Sequence, residues 1–208
     1  MRRMPGAREK QAAPRRTQQE RSDTTSADIL AAARFLFARR GYAGTSLDAV
    51  VERCQMTKGA LYHHFPSKQD LFEAVFEDEE RRLAARVATA QRAKRDPMAS
   101  ALAGISAMLD ASVDAQVQRV LFLDGPAVLG WDRIRAIEQR HSLSLLSEAV
   151  AELLTPDAPR SHEIEAACHL LYGALLEAAL LIAESKDPNR TRRDCERTLK
   201  RFLNALTI

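Results

Sequence analysis

The sequence predicts an all-α protein, and three observations support this fold class. The 208-residue chain is 46% hydrophobic but only 5% aromatic, and its many Ala and Leu residues favour helices over sheets. From residue 25 onwards, apolar residues recur at helical spacing between polar caps, glycines and prolines. No stretch has the alternation of apolar and polar residues that a half-buried strand would show.

Four helices are predicted in the N-terminal region, and each has a residue that is typical of the beginning or the end of a helix. Gly41 can end the first helix in a left-handed conformation, and Thr45 with Asp48 forms a capping-box-like pair for the second. Thr57 can cap a very short third helix, which Pro66 ends, and Ser67 can cap a long fourth helix. The predicted ranges are 25–41, 45 to about 54, 57–64 and 67–93.

A second helical region begins at Asp96-Pro97, a cap followed by proline at the first helical position. Helices are predicted there over about 97–114, 116–124, 131–154, 161–185 and 191–206. The breaks between them contain Gly125-Pro126, the residues 155–159 and Asp187-Pro188-Asn189.

The excess positive charge is confined to the N-terminus. Residues 1–22 hold seven basic and two acidic residues, a net charge of +5, whereas the whole chain has only +3. This arm lacks apolar periodicity and is rich in Arg, Gln, Ala and Pro, so residues 1–23 are predicted to be disordered. It is either a solubilising tail or an arm that lies on a polyanion.

Composition excludes several other classes of protein. The most apolar run, residues 174–183, is about half the roughly 20 residues that span a bilayer, and no secretory signal begins the chain. We therefore expect a cytoplasmic protein with no membrane span. The three cysteines, Cys54, Cys168 and Cys195, form no CxxC pair and indicate reduced thiols. No metal site is predicted, because His162 and His169 are two helical turns apart and cannot bind the same ion. No cofactor is predicted either.

The stretch TKGALYHHFPSKQDL, residues 57–71, places unusual polar surface on a short helix. Three helices within about 40 residues, the last two joined by a short turn, are the elements of a helix-turn-helix. The third helix is then exposed because it enters a DNA major groove. Thr57 leaves backbone amides free for a phosphate, Lys58 is a donor to a base edge or phosphate, and Gly59 allows close approach.

The span from Gly41 to Leu71 resembles the N-terminal domain of TetR-type transcriptional regulators. The matching positions are Gly41, Thr45, Ser46, Thr57, Leu61, Tyr62, His64, Phe65 and Lys68. The resemblance implies that one group of residues faces DNA, namely Thr57, Lys58, Gly59, Tyr62 and His63. It also implies phosphate contacts for Thr45, Ser46 and Lys68. The chain departs from the family at Cys54-Gln55, where Ala-Gly is usual, so Gln55 either bears a left-handed conformation or the turn differs.

The resemblance implies a three-helix DNA-binding domain over residues 24–70 and a helical ligand-binding and dimerisation domain over 71–208, with helix 67–93 connecting them. Helix 161–185 is apolar nearly all round, and 191–206 carries an apolar stripe. Two such helices from each subunit predict a homodimer with a four-helix interface. Interruptions of the apolar pattern suggest an effector pocket, although each is also compatible with plain core: Met108, Phe122, Trp131, His141 and Tyr172.

The predicted function is a ligand-responsive transcriptional regulator rather than an enzyme. No GxGxxG, GxSxG, GxxxxGK or HExxH motif occurs, and the acidic pair Glu79-Glu80 is predicted to lie on a solvated helix face. The main hypothesis is a homodimeric repressor that binds a pseudo-palindromic double-stranded DNA operator and is released by a small, largely apolar effector. An activator or a non-inducible DNA-binding protein of the same fold remains an alternative, and a helical adaptor is a weaker one.

Overall fold

The computed structural model describes residues 18–154 and 161–206, and within these ranges it is helical with no strand, which confirms the all-α prediction. The N-terminal helices are α1 (Gln18–Arg40), α2 (Leu47–Cys54), α3 (Lys58–His64) and α4 (Lys68–Arg92). The remaining elements are α5 (Pro97–Ala111), α6 (Ala115–Val117), a π-helical segment (Gln118–Asp124), α7 (Gly125–Leu129), α8 (Trp131–Arg140), α9 (Ser142–Leu154), α10 (Ser161–Glu184) and α11 (Pro188–Leu206).

Side-chain caps begin the helices of the DNA-binding region. The Ser46 Oγ accepts a hydrogen bond from the Ala49 amide, and the Thr57 Oγ1 accepts one from the Ala60 amide. These caps satisfy amides that have no partner inside their helix. Helix α1 already begins at Gln18, so the predicted disordered arm, 1–23, ends too late. Residues 1–17 of that arm lie outside the described residues.

The predicted helix 131–154 is in fact two helices, because the chain breaks at His141. No proline or glycine marks this break, and its cause is tertiary. The His141 Nε2 lies 3.2 Å from Glu77 Oε1, and the Ser142 Oγ donates to Glu80 Oε2 at 2.9 Å. Two carboxyl groups of α4 therefore hold the junction of α8 and α9.

The apolar core is continuous across the predicted domain boundary at residue 70. Phe37 of α1 packs edge-on against Phe72 of α4, with ring centroids 5.2 Å apart, and the same cluster extends through Phe76 to Ile134 and Ile137. A second cluster joins α5, α9, α10 and α11 around Leu109, Ile182 and Leu203. The DNA-binding region thus rests directly on the C-terminal helices.

One helix in the described part of the chain, His162–Glu184, has the length and hydropathy of a membrane span, a property that core helices of soluble proteins share. Its buried face, which includes Cys168, Leu175, Ala179 and Ile182, packs within the molecule. Other apolar side chains of the same helix remain exposed, and Leu170 is the most exposed of them.

Gln55 occupies the turn between α2 and α3 in the left-handed conformation, with φ 56° and ψ 33°. It is the one non-glycine residue with positive φ in the ranges that the structure describes. Of the two alternatives that the sequence left open, the left-handed Gln55 is therefore correct, and this residue bears the strain that a glycine would relieve.

We predict that Gln55→Gly raises the free energy of unfolding by about 0.5–1 kcal/mol. The left-handed conformation costs a side-chain-bearing residue roughly 1–2 kcal/mol, and the entropy of an added glycine offsets part of that gain. Thermal or urea unfolding of both variants measures the difference. Gln55→Ala keeps the strain and serves as the control, and a destabilised glycine variant would contradict the explanation.

Candidate nucleic-acid interface and internal cavity

Helix α3 presents a polar face to solvent and an apolar face to the core. Lys58, Gly59, Tyr62 and His63 are exposed, and the Tyr62 side chain has 52% of its surface accessible. Leu61 and Phe65 are buried and attach the helix to the first core cluster. Tyrosine is enriched at interfaces because its ring is apolar and its hydroxyl can form hydrogen bonds, so this face is suited to contact another molecule.

Lys58 is paired within the chain. Its Nζ lies 2.8 Å from Asp48 Oδ1 of α2, and both side chains are largely exposed. The hydrogen bond and negative charge of Asp48 raise the pKa of Lys58, so the ammonium stays protonated. An exposed pair of this kind is weak, and a phosphate could replace Asp48 as the partner of Lys58.

Gly59 has no packing reason to be glycine. A Cβ added there would meet no atom closer than the Thr57 Oγ1 at 3.9 Å. Glycine inside a helix is roughly 0.8–1 kcal/mol less favourable than alanine. The residue therefore weakens α3 without an intramolecular gain, and the open space above it lies on the same exposed face as Tyr62.

The three residues expected at phosphates have different environments. Thr45 is only 2% exposed, and its Oγ1 donates to the Gly41 carbonyl at 2.9 Å, so its side chain cannot reach a phosphate in this conformation. Ser46, rather than Thr45, is the exposed cap of α2. The Lys68 Nζ lies 4.2 Å from the Tyr42 ring centroid, and partial burial lowers the pKa of this lysine.

An internal cavity of about 70 Å³ lies among α4, α5, the π-helical segment, α9, α10 and α11. Its walls are mainly apolar and include Met108, Phe122 and Tyr172, three of the five candidates from the sequence. Trp131 and His141 do not line the cavity, so their prediction as effector-binding residues is wrong. Trp131 begins α8 at the surface with 61% of its side chain exposed, and His141 faces Glu77.

Sequence reasoning missed the main polar residue of the cavity, Glu80. Both Glu79 and Glu80 are buried, so their predicted position on a solvated face is wrong. The Arg34 Nη1 lies 2.8 Å from Glu79 Oε1, whereas Glu80 lines the cavity beside Ser142. Its position could have been found from spacing, because Glu80 follows Phe76 by four residues on the buried stripe of α4.

Burial raises the pKa of Glu80 to about 7, since an ionised carboxylate loses solvation in the protein interior. The hydrogen bond from Ser142 acts in the opposite direction, and the charge of Glu138 raises the pKa further. Burial also raises the pKa of Glu138, whose carboxylate accepts a hydrogen bond from Tyr172. At the Glu80 end, the polar part of the cavity lining thus consists of the Glu80 carboxyl group and the Ser142 and Tyr172 hydroxyl groups, and Glu138 lies behind it as the acceptor of Tyr172.

The π-helical segment connects the cavity to the DNA-binding region. Phe122 lies on the cavity wall, and two residues later Asp124 accepts a hydrogen bond from the Tyr42 amide at 2.7 Å. The adjacent helix α7 contributes a second link, because the Gln69 Nε2 donates to the Val128 carbonyl at 2.9 Å. Tyr42 also contacts Phe37, Phe72 and Lys68.

In the part of the chain that the structure describes, no group of three or more His, Cys, Asp and Glu residues could hold a metal ion. The three cysteines, Cys54, Cys168 and Cys195, are free thiols, and burial raises the pKa of Cys168 and Cys195. Neither thiol therefore has the lowered pKa of a reactive cysteine.

The buried Glu80 carboxyl predicts a pH-dependent stability difference. Its pKa is raised above the ordinary 4.5, so the folded state holds the proton longer and loses stability as pH rises from 4.5 to about 7. Glu80→Gln removes this loss, which amounts to about 3 kcal/mol. The melting temperature of the variant should exceed that of the parent by several degrees more at pH 8 than at pH 5.

Glu73→Gln provides the control for this measurement, because Glu73 lies on the same helix and forms a partly exposed pair with Arg133. If the melting temperatures of Glu80→Gln and the parent differ by the same amount at both pH values, Glu80 is already ionised at pH 5.

Comparisons with known proteins agree with this geometry. Residues 29–75 match the family model for bacterial regulatory proteins of the tetR family, and residues 98–206 match the tetracyclin repressor-like C-terminal domain. The first match contains α2 and α3, and the second contains most of the cavity wall. Together the two models include most of the described chain.

Two relatives match this chain over most of their length, and a third matches it over about a third. A TetR-family transcriptional regulator from Pectobacterium atrosepticum is 31% identical, with 92% of this chain and 97% of that chain covered and a TM-score of 0.75. The TetC protein of transposon Tn10 from Escherichia coli is 26% identical over 78% of this chain and 82% of its own length. The regulator UidR from Escherichia coli is 40% identical, but over only 32% of this chain and 34% of its own.

The matched C-terminal model alone covers more than half of the chain, and the matched N-terminal model contains the exposed helix α3. The relative from Pectobacterium atrosepticum and UidR are transcriptional regulators, in agreement with the prediction that the chain is not an enzyme. The chain therefore belongs to the TetR family of DNA-binding transcriptional regulators.

Proposed function

We propose that this chain is a ligand-responsive repressor that binds a pseudo-palindromic DNA operator as a homodimer and is released by a small effector in the internal cavity. The observation that carries the proposal is the position of α4. Its first half packs against α1, on which the exposed helix α3 also rests, and its second half contributes Glu80, Leu83, Val87 and Gln91 to the cavity.

The exposed face of α3 supports DNA binding. Tyr62 and Lys58 offer donors to phosphates or base edges, and the open space at Gly59 lets the helix approach a groove closely. Thr57, at the N-terminus of α3, and His63, near its end, extend this contact face. Ser46 and Lys68 flank it and are suited to phosphates, whereas Thr45 acts by supporting the turn after Gly41.

Exposed apolar residues on α10 and α11 support dimerisation. Leu170 has 76% of its side-chain surface exposed, and Leu181 and Phe202 are also largely exposed. Apolar side chains of this size on adjacent helices are typical of a protein interface. Two copies of α10 and α11 packed together would form a four-helix interface, and the pair of α3 helices would then read two half-sites.

Two connections could carry an effector's influence to the DNA. One is α4 itself, which is continuous from Lys68 to Arg92. The other is the π-helical segment, in which Phe122 faces the cavity and Asp124 holds the Tyr42 amide. An effector that displaces Phe122 would shift Asp124 and thereby the α1–α2 turn. A coupling of about 1–3 kcal/mol changes operator affinity by roughly 5- to 150-fold.

The DNA sequence that the purified protein selects from a random pool tests this proposal. We expect a site with a dyad, whose half-sites lie about one helical turn or a multiple apart. Lys58→Ala should lose affinity and, if Lys58 contacts a base, relax the preference at one position by about tenfold or more. Tyr62→Phe should weaken binding without a change in preferred sequence.

Asp48→Asn is the matched control, because it frees Lys58 without altering the DNA-facing side chains and should keep or increase affinity. Repression is tested with the selected site placed at a promoter, where transcription should fall when the protein is present. A site without a dyad, a monomer at micromolar concentration, or undiminished binding by both α3 variants would contradict the proposal.

Asp124→Ala should uncouple the cavity from the DNA. The variant loses the acceptor of the Tyr42 amide, so the ratio of operator affinities without and with effector should fall towards one. Operator binding and effector binding are each measured separately. Asp132→Ala, an exposed aspartate at the start of α8, is the control and should keep the parent ratio. An unchanged ratio in Asp124→Ala would leave α4 as the remaining connection.

A further inference from the structure

We propose that the internal cavity selects lipophilic amines, with the apolar body on the leucine-rich walls and the protonated nitrogen on the Glu80 carboxylate. This inference rests on the proposed function for its effect on DNA, and it names the chemical class of effector. The binding site itself can be tested without DNA.

The lining of the cavity favours a molecule with one polar end, and its volume of about 70 Å³ admits such a molecule once wall side chains such as Phe122 move. Leu83, Val87, Ile105, Leu146 and Leu175 contribute apolar wall, whereas Glu80 and Ser142 contribute polar groups from adjacent elements. The Glu80 side chain is 4% exposed overall, yet it lines the open space. One carboxylate oxygen accepts from the Ser142 hydroxyl at 2.9 Å, and an ammonium group needs an acceptor of this kind.

The charges around Glu80 are unbalanced. No ion pair is found for Glu80 within residues 18–154 and 161–206, where the nearby basic side chains have other partners. Arg140 and His141 both contact Glu77, and Arg34 pairs with Glu79. A buried carboxylate without a cation is unfavourable, so a ligand that supplies the cation gains charge-assisted binding.

Other groups facing Glu80 reinforce the preference for a cation. Glu138 adds a second acidic group, which is partly balanced by the charge of Arg135. Burial and the two acidic groups raise the pKa of Tyr172, whose hydroxyl is therefore neutral and donates to Glu138. An anionic ligand would meet the Glu80 carboxyl group in this cavity, whereas a cationic one would meet no positive side chain among the residues that line it.

The pairing also predicts a pH dependence. With its pKa near 7, Glu80 is mostly protonated at pH 6 and mostly ionised at pH 8. An ammonium ligand binds the ionised form, so its affinity should rise about tenfold over this range as a proton is released. A neutral alcohol has no charge to pair with Glu80 and should show at most a small change.

Calorimetric titration of the full-length chain with 2-phenylethylamine and 2-phenylethanol tests the inference, because the two probes have similar size and differ in charge. At pH 8 we expect the amine to bind at least tenfold more tightly than the alcohol. Glu80→Gln should lose at least tenfold in amine affinity and bind the alcohol as the parent does. Glu79→Gln, a buried neighbour whose partner is Arg34, should bind both probes like the parent.

Equal binding of amine and alcohol, or an amine affinity unchanged by Glu80→Gln, would overturn the inference even if the chain binds its operator normally. Tight amine binding that leaves operator affinity unchanged supports the cavity's preference and counts against the proposed response to effectors instead. The folding of Glu80→Gln is verified by its thermal unfolding before either probe is titrated.

Discussion

The packing of α4 against the DNA-binding region at one end and around the cavity at the other is the contact on which the rest of the structure depends. This helix has 25 residues and is therefore about 37 Å long. Leu71, Phe72 and Val75 lie in the core beside α1, and Leu83 reaches the cavity. Because a regular helix is stiff, a displacement at the cavity end is transmitted to the packing of α4 against α1, the helix on which α3 rests.

The π-helical segment makes the second connection, and its geometry has a local cause. The Gly125 amide donates to the Val120 carbonyl five residues earlier, and Pro126 has no amide to continue the regular pattern. Gly125 also lies so close to Phe76 that an added Cβ would be 2.6 Å from the ring. The tight contact with α4 and the irregular helix together place Phe122 in the cavity and Asp124 at the Tyr42 amide.

Local features of the structure were predictable from sequence, whereas contacts between distant residues were not. The caps Ser67 and Thr57 follow from side-chain chemistry within a few residues, and the left-handed Gln55 is one of the two alternatives that the sequence left open. The break at His141 depends on carboxylates about 60 residues away, and nothing near His141 indicates it. The candidate sites show the same difference. The exposed face of α3 was predicted from local sequence, whereas the cavity wall depends on contacts between distant residues, and Trp131 was wrongly placed in it.

Three positions carry a residue that is unfavourable for folding alone, and they differ in what offsets the cost. Gly59 weakens α3 but leaves open space where a groove would lie, and Glu80 loses solvation but supplies a charge to the cavity. Residues that contradict local preference are expected at functional sites, where they are retained for binding rather than stability. Gln55 is exposed in the turn before α3, and there its backbone amide donates to the Glu52 carbonyl and closes the end of α2. An unfavourable residue therefore identifies a functional position only when local structure does not explain it. Gly59 and Glu80 meet this condition, whereas the left-handed Gln55 is explained by the helix end that it closes.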